Sequence, residues 1–416
     1  MKRILIIFIF IMPFLAYSQG VNNFTVELAR QFSRDIFELN GVNFLQPVVR
    51  VVNSTSNTGF YYDARIPYQV KKPYFKFTIQ GMFGITPENE KSYTPQMPNQ
   101  QFNPDDLQKF LKIDYNGIKI DTAGLVHYLF LNMMYDGINR KPDEPGSIVV
   151  PQKAPTALGN KQTAFELRKS AMDTLLKSHP AYEFLKNLGL TDTLNSAIQQ
   201  FPDIFNLPPG GNINHIIAGV PQLVVGSLYG TELLLRYIPK VNLGSNIGDF
   251  GFWGVGINHN FTNYLFKNYL DKPPFEGSLQ LVYQSTELEN TVGVTNAKLK
   301  AQADMVNFNL HLSRNLTKSI SIYAGGSYEK INIQSTYKYY LPVEIQWQLK
   351  LLEWPNYSPT PGYPGDQNPQ IAIVKLDDSQ VKFTVGLSAE FYNFILATDF
   401  NFSKVNIWGL TLGYKF

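Results

Sequence analysis

The chain has 416 residues, a formal net charge of +3, no cysteine, 17% charged residues and 14% aromatic residues. The missing cysteines exclude a disulfide framework, a thiolate metal site and a cysteine nucleophile. The near-neutral charge gives no case for nucleic-acid binding. Few charges with many aromatics is the composition expected where a lipid-facing belt excludes charge and interface girdles collect rings.

Lys2 and Arg3 precede an apolar run over residues 4–15, and Ala16-Tyr17-Ser18 is a small-x-small cleavage site. This predicts a secretory signal peptide over residues 1–18, with Gln19 as the mature N-terminus. The run is too short for a membrane anchor, which needs about 20 apolar residues. Elsewhere the longest apolar stretch, residues 125–135, is also too short and contains His127 and Asn132.

Phe24, Leu28, Phe32, Ile36 and Leu39 then recur at helical spacing, with Gly41 as a stop. Residues 19–42 are expected to form a plug or hatch helix, and residues 43–416 the barrel that holds it. Residues 44–52 are apolar and β-branched but contain Pro47, the pattern of an irregular or edge strand. Phe75, Phe77, Ile79, Phe83 and Ile85 alternate with Lys76, Thr78 and Gln80, a strong half-buried strand. From about residue 87 to 210 the rhythm breaks into a loop and helical insertion. Asp121 is placed to cap a helix reaching about Tyr135, and residues 162–200 read as two helices broken near His179-Pro180.

Beyond Pro208-Pro209-Gly210-Gly211 the strand signal is nearly continuous. Leu233, Leu235 and Tyr237 share one face of residues 231–238, and Glu232 and Arg236 share the other. If the first face meets lipid, Glu232 and Arg236 point into a lumen, since a charge on lipid at mid-depth costs about 2–4 kcal/mol. They are candidate lumenal residues, as an ion-pair network or as a handle for an amphipathic solute; Phe32 and Ile36 are the candidate plug face beside that path. Further strands are expected at 250–261, 277–285, 297–313, 320–333, 382–391 and 394–402, with a Pro- and Tyr-rich excursion at 337–368. The last strand carries Trp408, Leu410, Leu412, Tyr414 and Phe416 on one face. That ending resembles the C-terminal signal read by outer-membrane assembly machinery. The expected fold is all-β, a transmembrane antiparallel β-barrel of about fourteen strands, in the outer membrane.

The stretch 218–259 contains Gly-Val-Pro-Gln-Leu at 219–223, Gly230-Thr231-Glu232-Leu233, Arg236-Tyr237-Ile238-Pro239, Trp253-Gly254-Val255-Gly256 and Asn258-His259. With the two ends of the chain, it resembles an uncharacterised family of Bacteroidota outer-membrane barrels, and more loosely the long-chain fatty acid transporter (FadL-like) barrels. That resemblance implies fourteen strands, an N-terminal hatch and passage of hydrophobic molecules.

The five histidines, His127, His179, His215, His259 and His311, have no metal-ligand spacing, and no Ser or Asp can be paired with one as an activated nucleophile. No catalytic residue, metal or cofactor is therefore expected. Two functions are carried forward. One is passive passage of small hydrophobic or amphipathic molecules, with outer-membrane lipid and a hydrophobic ligand as partners. The other is a non-conducting scaffold subunit of a secretion or barrel-assembly complex, with outer-membrane proteins as partners.

Overall fold

The computed structural model describes residues 23–416 apart from 115–116, 161, 243–247, 267–272, 293–296, 354, 357 and 360–364. The expected signal peptide and Gln19 lie outside the described residues. Among the described residues, no helix is long and apolar enough to cross a membrane.

Ten strands close into a barrel. They are β1 (Tyr74–Ile85), β2 (His215–Leu228), β3 (Thr231–Asn242), β4 (Asp249–Asn260) and β5 (Glu276–Val292). Then come β6 (Ala297–Asn315), β7 (Ile320–Tyr339), β8 (Gln370–Phe391), β9 (Phe394–Phe402) and β10 (Ile407–Lys415). Each pairs antiparallel with the next, and β1 pairs with β10 to close the ring. The count is even, as the class requires, but it is ten and not about fourteen. Residues 44–52 are helical and the short strands of the insertion stay outside the ring, while the ring strands β5 to β8 are long, at 17, 19, 20 and 22 residues.

Alternation decides what each face meets. On β3, Leu233, Leu235 and Tyr237 are exposed outside while Glu232, Leu234 and Arg236 are buried inside. Outside, Phe308, Tyr328 and Val381 form one row across β6, β7 and β8, each about half exposed. Inside the same belt, the Asn309–Ser327–Lys382 row is polar and buried. Further along β6 to β8 the polarity reverses. Outward residues become Asp304, Asn332 and Asp377, and inward ones become Ala303, Ile333 and Leu376. Lipid explains the first arrangement and water the second. These strands therefore rise beyond the membrane as a wall with an ordinary apolar interior. Tyr237, Trp253, Tyr283, Tyr328 and Trp408 mark the boundary on the outside, with the Trp253 and Tyr283 rings 5.5 Å apart.

Short turns at 229–230, 316–319 and 392–393 gather at one end. The long connections 86–214 and 340–369 lie at the other, the loop end. There a helical cap packs on the first half of helix α1 (Asn23–Ser56). Its helices are α2 (Thr122–Asn139), α3 (Lys169–Ser178), α4 (Tyr182–Asn187) and α5 (Thr191–Gln200). The Asp121 carboxylate accepts from the Gly124 N–H and caps α2, as expected. The expected break at His179-Pro180 is also present, followed by two short helices rather than one.

Residues 44–52, expected as an edge strand, are helical. Helix α1 runs on through Pro47 to Ser56, well past the expected end at residue 42. The barrel wall explains this. Val49 packs among Met82, Ile216, Phe252, Met305 and Ile331, on the apolar inner face of the wall. A segment enclosed by strands already paired to each other has no strand of its own to pair with, so it satisfies its backbone as a helix. The barrel itself begins at Tyr74 rather than at residue 43.

Candidate functional site

The second half of α1 enters the barrel from the loop end, and residues 57–66 continue down the lumen to β1. Wall side chains hold this thread by its backbone. Arg236 donates from Nη1 to the Ser56 carbonyl at 2.9 Å and from Nη2 to the Thr58 carbonyl at 2.8 Å. Its Nε donates to Gln222 at 2.9 Å, and its guanidinium lies 3.9 Å from the centre of the Phe60 ring. Lys382 donates to the Asn57 carbonyl and pairs with Glu329. Asn260 and Ser278 both donate to the Ala64 carbonyl at 2.8 Å, and the Ala64 N–H donates to Ser313 at 3.0 Å. Asn263 donates to the Ile66 carbonyl at 3.1 Å.

Two of these donors are cations at the C-terminus of α1. The final carbonyls of a helix lack intrahelical partners and carry its partial negative charge. Arg236 and Lys382, both buried, supply the hydrogen bonds and the complementary charge together. Backbone freedom is used twice. Gly59 bends the thread at φ +73°, and a Cβ at Gly325 would overlap the Tyr61 hydroxyl and the His311 side chain.

Glu232 and Arg236 both face the lumen, as the alternation predicts, but they are not partners. Glu232 accepts from Tyr74 at 2.5 Å and from Lys76 at 2.8 Å. Phe32 and Ile36 are not on a lumenal plug face. Phe32 is fully buried in the cap, against the rings of Phe130, Phe201 and Phe205 at 5.1, 6.0 and 5.0 Å, and Ile36 lies in the same cluster. Phe24, Leu28, Phe32 and Ile36 share a covered face while Leu39 is exposed, and the surface that face meets comes from the insertion. Truncating Phe32→Ala is expected to cost the cap about 3–5 kcal/mol. Limited proteolysis should then cut at 86–214 and leave the barrel intact; cleavage within the barrel strands would show that cap and barrel are one cooperative unit.

Lys76, Glu329, Lys382 and the thread itself were not picked out as site residues from sequence. Lys76 and Lys382 did sit on polar strand faces, the signal that could have found them. Residues 57–66 have no periodicity, because their partners are side chains rather than a neighbouring strand.

Polar side-chain contacts tie α1 to α2 and to the long connections. Asp35 meets His127 at 2.6 Å, Arg50 meets Glu90 at 2.7 and 2.8 Å, and Arg30 meets Asp366 at 2.5 and 3.1 Å. The histidines are dispersed. His311 stacks on Tyr61 at 4.0 Å, His179 meets the edge of Phe102 at 5.0 Å, and His259 shares a hydrogen bond with Thr231 at 2.8 Å. Burial holds the His179 pKa below the ordinary histidine range. No group of three or more His, Asp or Glu residues that could hold a metal occurs among the described residues.

A lumenal cavity beside Tyr61, Tyr62, Lys76 and Glu232 has a volume of about 20 Å³. That is room for about one water. The hydroxyls of Tyr61 and Tyr62 and the Asn258 Oδ1 lack a protein partner.

These features define a closed antiparallel barrel with an apolar outer belt and a lumen occupied by its own N-terminal segment. The whole chain, residues 1–416, matches the family described as "Family of unknown function (DUF6588)", and it belongs to that family. Among solved structures it is similar to Ail, the attachment invasion locus protein of Yersinia pestis. That match has 9% identity and a TM-score of 0.22, over 45% of this chain and 95% of that one. OpdK of Pseudomonas aeruginosa, solved with vanillate, matches at 9% identity and a TM-score of 0.13, over 83% and 99%. OccK8 (OprE) of Pseudomonas aeruginosa matches at 6% identity and a TM-score of 0.14, over 83% and 98%. No curated protein matches the chain.

Proposed function

We propose that this protein is an outer-membrane anchor, closed to solutes in the conformation described, that holds a helical cap at the loop end as a scaffold for other envelope proteins. The occupied lumen carries this reading. A barrel that conducts needs a continuous polar path. Here α1 and the thread fill the lumen, and Arg236 and Lys382, the side chains that would line a path, are committed to the thread backbone. The cap has a core of its own and is pinned to α1 by the ion pairs at Arg30 and Arg50 and by the Asp35–His127 hydrogen bond. A rigid, well-packed projection on a membrane anchor suits a docking role.

Passage of small hydrophobic or amphipathic molecules then requires the thread to withdraw. Purified full-length protein in planar bilayers tests the closed state; no unitary conductance is expected. Purification of a tagged chain in mild detergent tests the scaffold role, and stoichiometric envelope partners are expected. Steady conductance from the full chain, or a lone barrel at every purification, would sink the proposal.

A further inference from the structure

The outer face of the raised wall holds a groove of about 540 Å³ lined by β6, β7 and β8. Its rows are set by register: Asp304–Asn332–Asp377, then Gln302–Gln334–Lys375, then Lys300–Thr336, which ends on Ile373 outside the groove lining. The last apolar row, Phe308–Tyr328–Val381, lies below it. The groove starts roughly four residues beyond that row, ~13 Å along the strand at ~3.3 Å per residue. Tilt of the strands by about 40° reduces this to a height of ~10 Å above the hydrocarbon edge. A phospholipid phosphate lies lower than that, since headgroup layers add only about 5–8 Å per side.

The chemistry of the lining is mixed. Amides, a hydroxyl and two carboxylates offer the paired donors and acceptors that sugar hydroxyls need. No aromatic side chain projects outward among these rows, and the aliphatic Ile373 and Ile371 lie only at their β8 ends, beside Thr336 and Lys338. The volume lies within the range of ligand sites, about 300–1,000 Å³. A second observation adds charge. Further along the same outer face Lys298 sits directly opposite Lys338, a like-charge pair that is unfavourable without an anion between. Both are exposed, as is Lys375 in the groove.

From this we infer that the outer wall of β6–β8 binds the acidic saccharide headgroup of a glycolipid anchored in the leaflet at the loop end. Amides and carboxylates of the groove take the sugar hydroxyls, and Lys375, Lys298 and Lys338 take the acid groups. The acyl chains lie against the Phe308–Tyr328–Val381 row below. The inference rests on the membrane reading above.

The test uses the full chain in vesicles, titrated with rough lipopolysaccharide, with phosphatidylglycerol, and with the deacylated core saccharide. Lipopolysaccharide is expected to bind at least tenfold tighter than either of the other two. Combined Lys375→Glu and Lys338→Glu is expected to weaken it at least tenfold. Equal affinity for phosphatidylglycerol, equal affinity for the deacylated saccharide, or an unchanged double variant would each overturn the inference. Heat-modifiable gel mobility reports barrel insertion separately. A chain that fails to insert counts against the membrane reading, and an inserted chain that ignores lipopolysaccharide counts against this site alone.

Discussion

A chain carrying Phe60→Gly, Tyr61→Gly, Tyr62→Gly and Arg236→Ala is expected to conduct ions in planar bilayers where the parent chain stays silent. Three rings and a guanidinium supply most of the bulk between the thread and the wall at this level. Removing Arg236 also frees the Thr58 carbonyl and leaves the Ser56 carbonyl only the bond from Gln284 at 3.1 Å. Each lost bond to a charged donor costs about 1.5–3 kcal/mol, so the thread loses its hold as well as its bulk. The wall should survive, because its strands are paired to one another all round and need nothing from the lumen. Heat-modifiable mobility should therefore match the parent. Arg236→Lys alone should give brief openings. A lysine keeps the charge at the end of α1 but lacks the planar fork that spans two carbonyls. A folded quadruple variant that remains silent would mean that α1 or the wall, not the thread, closes the lumen.

The parts of this molecule that were legible in the sequence are those in which a residue meets a uniform environment. Phe75 to Phe83 and Trp408 to Leu412 face lipid, which accepts apolar side chains at every outward position, so the period of two is unbroken. Asp121 was legible because a helix cap needs only neighbouring backbone. Glu232 and Arg236 were placed in the lumen by the cost of the alternative, but their partners were not legible. Lys76 is 156 residues from Glu232, and the carbonyls of Ser56 and Thr58 are 180 and 178 residues from Arg236. Residues 44–52 were misread because β-branched side chains suit a strand and a buried helix alike. Only the closed wall around them excludes the strand. Phe32 and Ile36 were misplaced for a related reason. A helical stripe states that a face is covered, and here the cover is an insertion whose own helices lie about a hundred residues or more further on.

Lys382 and Glu329 separate the stability of the barrel from its closure. The two are among the most deeply buried charges described, and Glu329 also accepts from Gln380 at 2.8 Å and Asn307 at 3.1 Å. Removing one member strands the other charge, so Lys382→Met is expected to destabilise the folded barrel by about 3–5 kcal/mol, and Glu329→Gln by a similar amount. The double variant should recover most of that loss. It leaves no unpaired charge; the glutamine oxygen accepts from Gln380, and its amide N–H donates to the Asn307 Oδ1 once that amide turns over. Urea unfolding of the reconstituted protein, followed by tryptophan fluorescence, gives the cycle. With two such single losses and a double variant close to the parent, a coupling of about 5–9 kcal/mol is expected, and additive single losses would show that the charges do not act as a pair. Closure should behave differently. The Asn57 carbonyl loses its donor in Lys382→Met and does not regain it in the double variant. The double variant should therefore be nearly as stable as the parent yet flicker open in bilayers. If stability and closure return together, the lysine acts on the wall only, and the hold on the thread belongs to Arg236 alone.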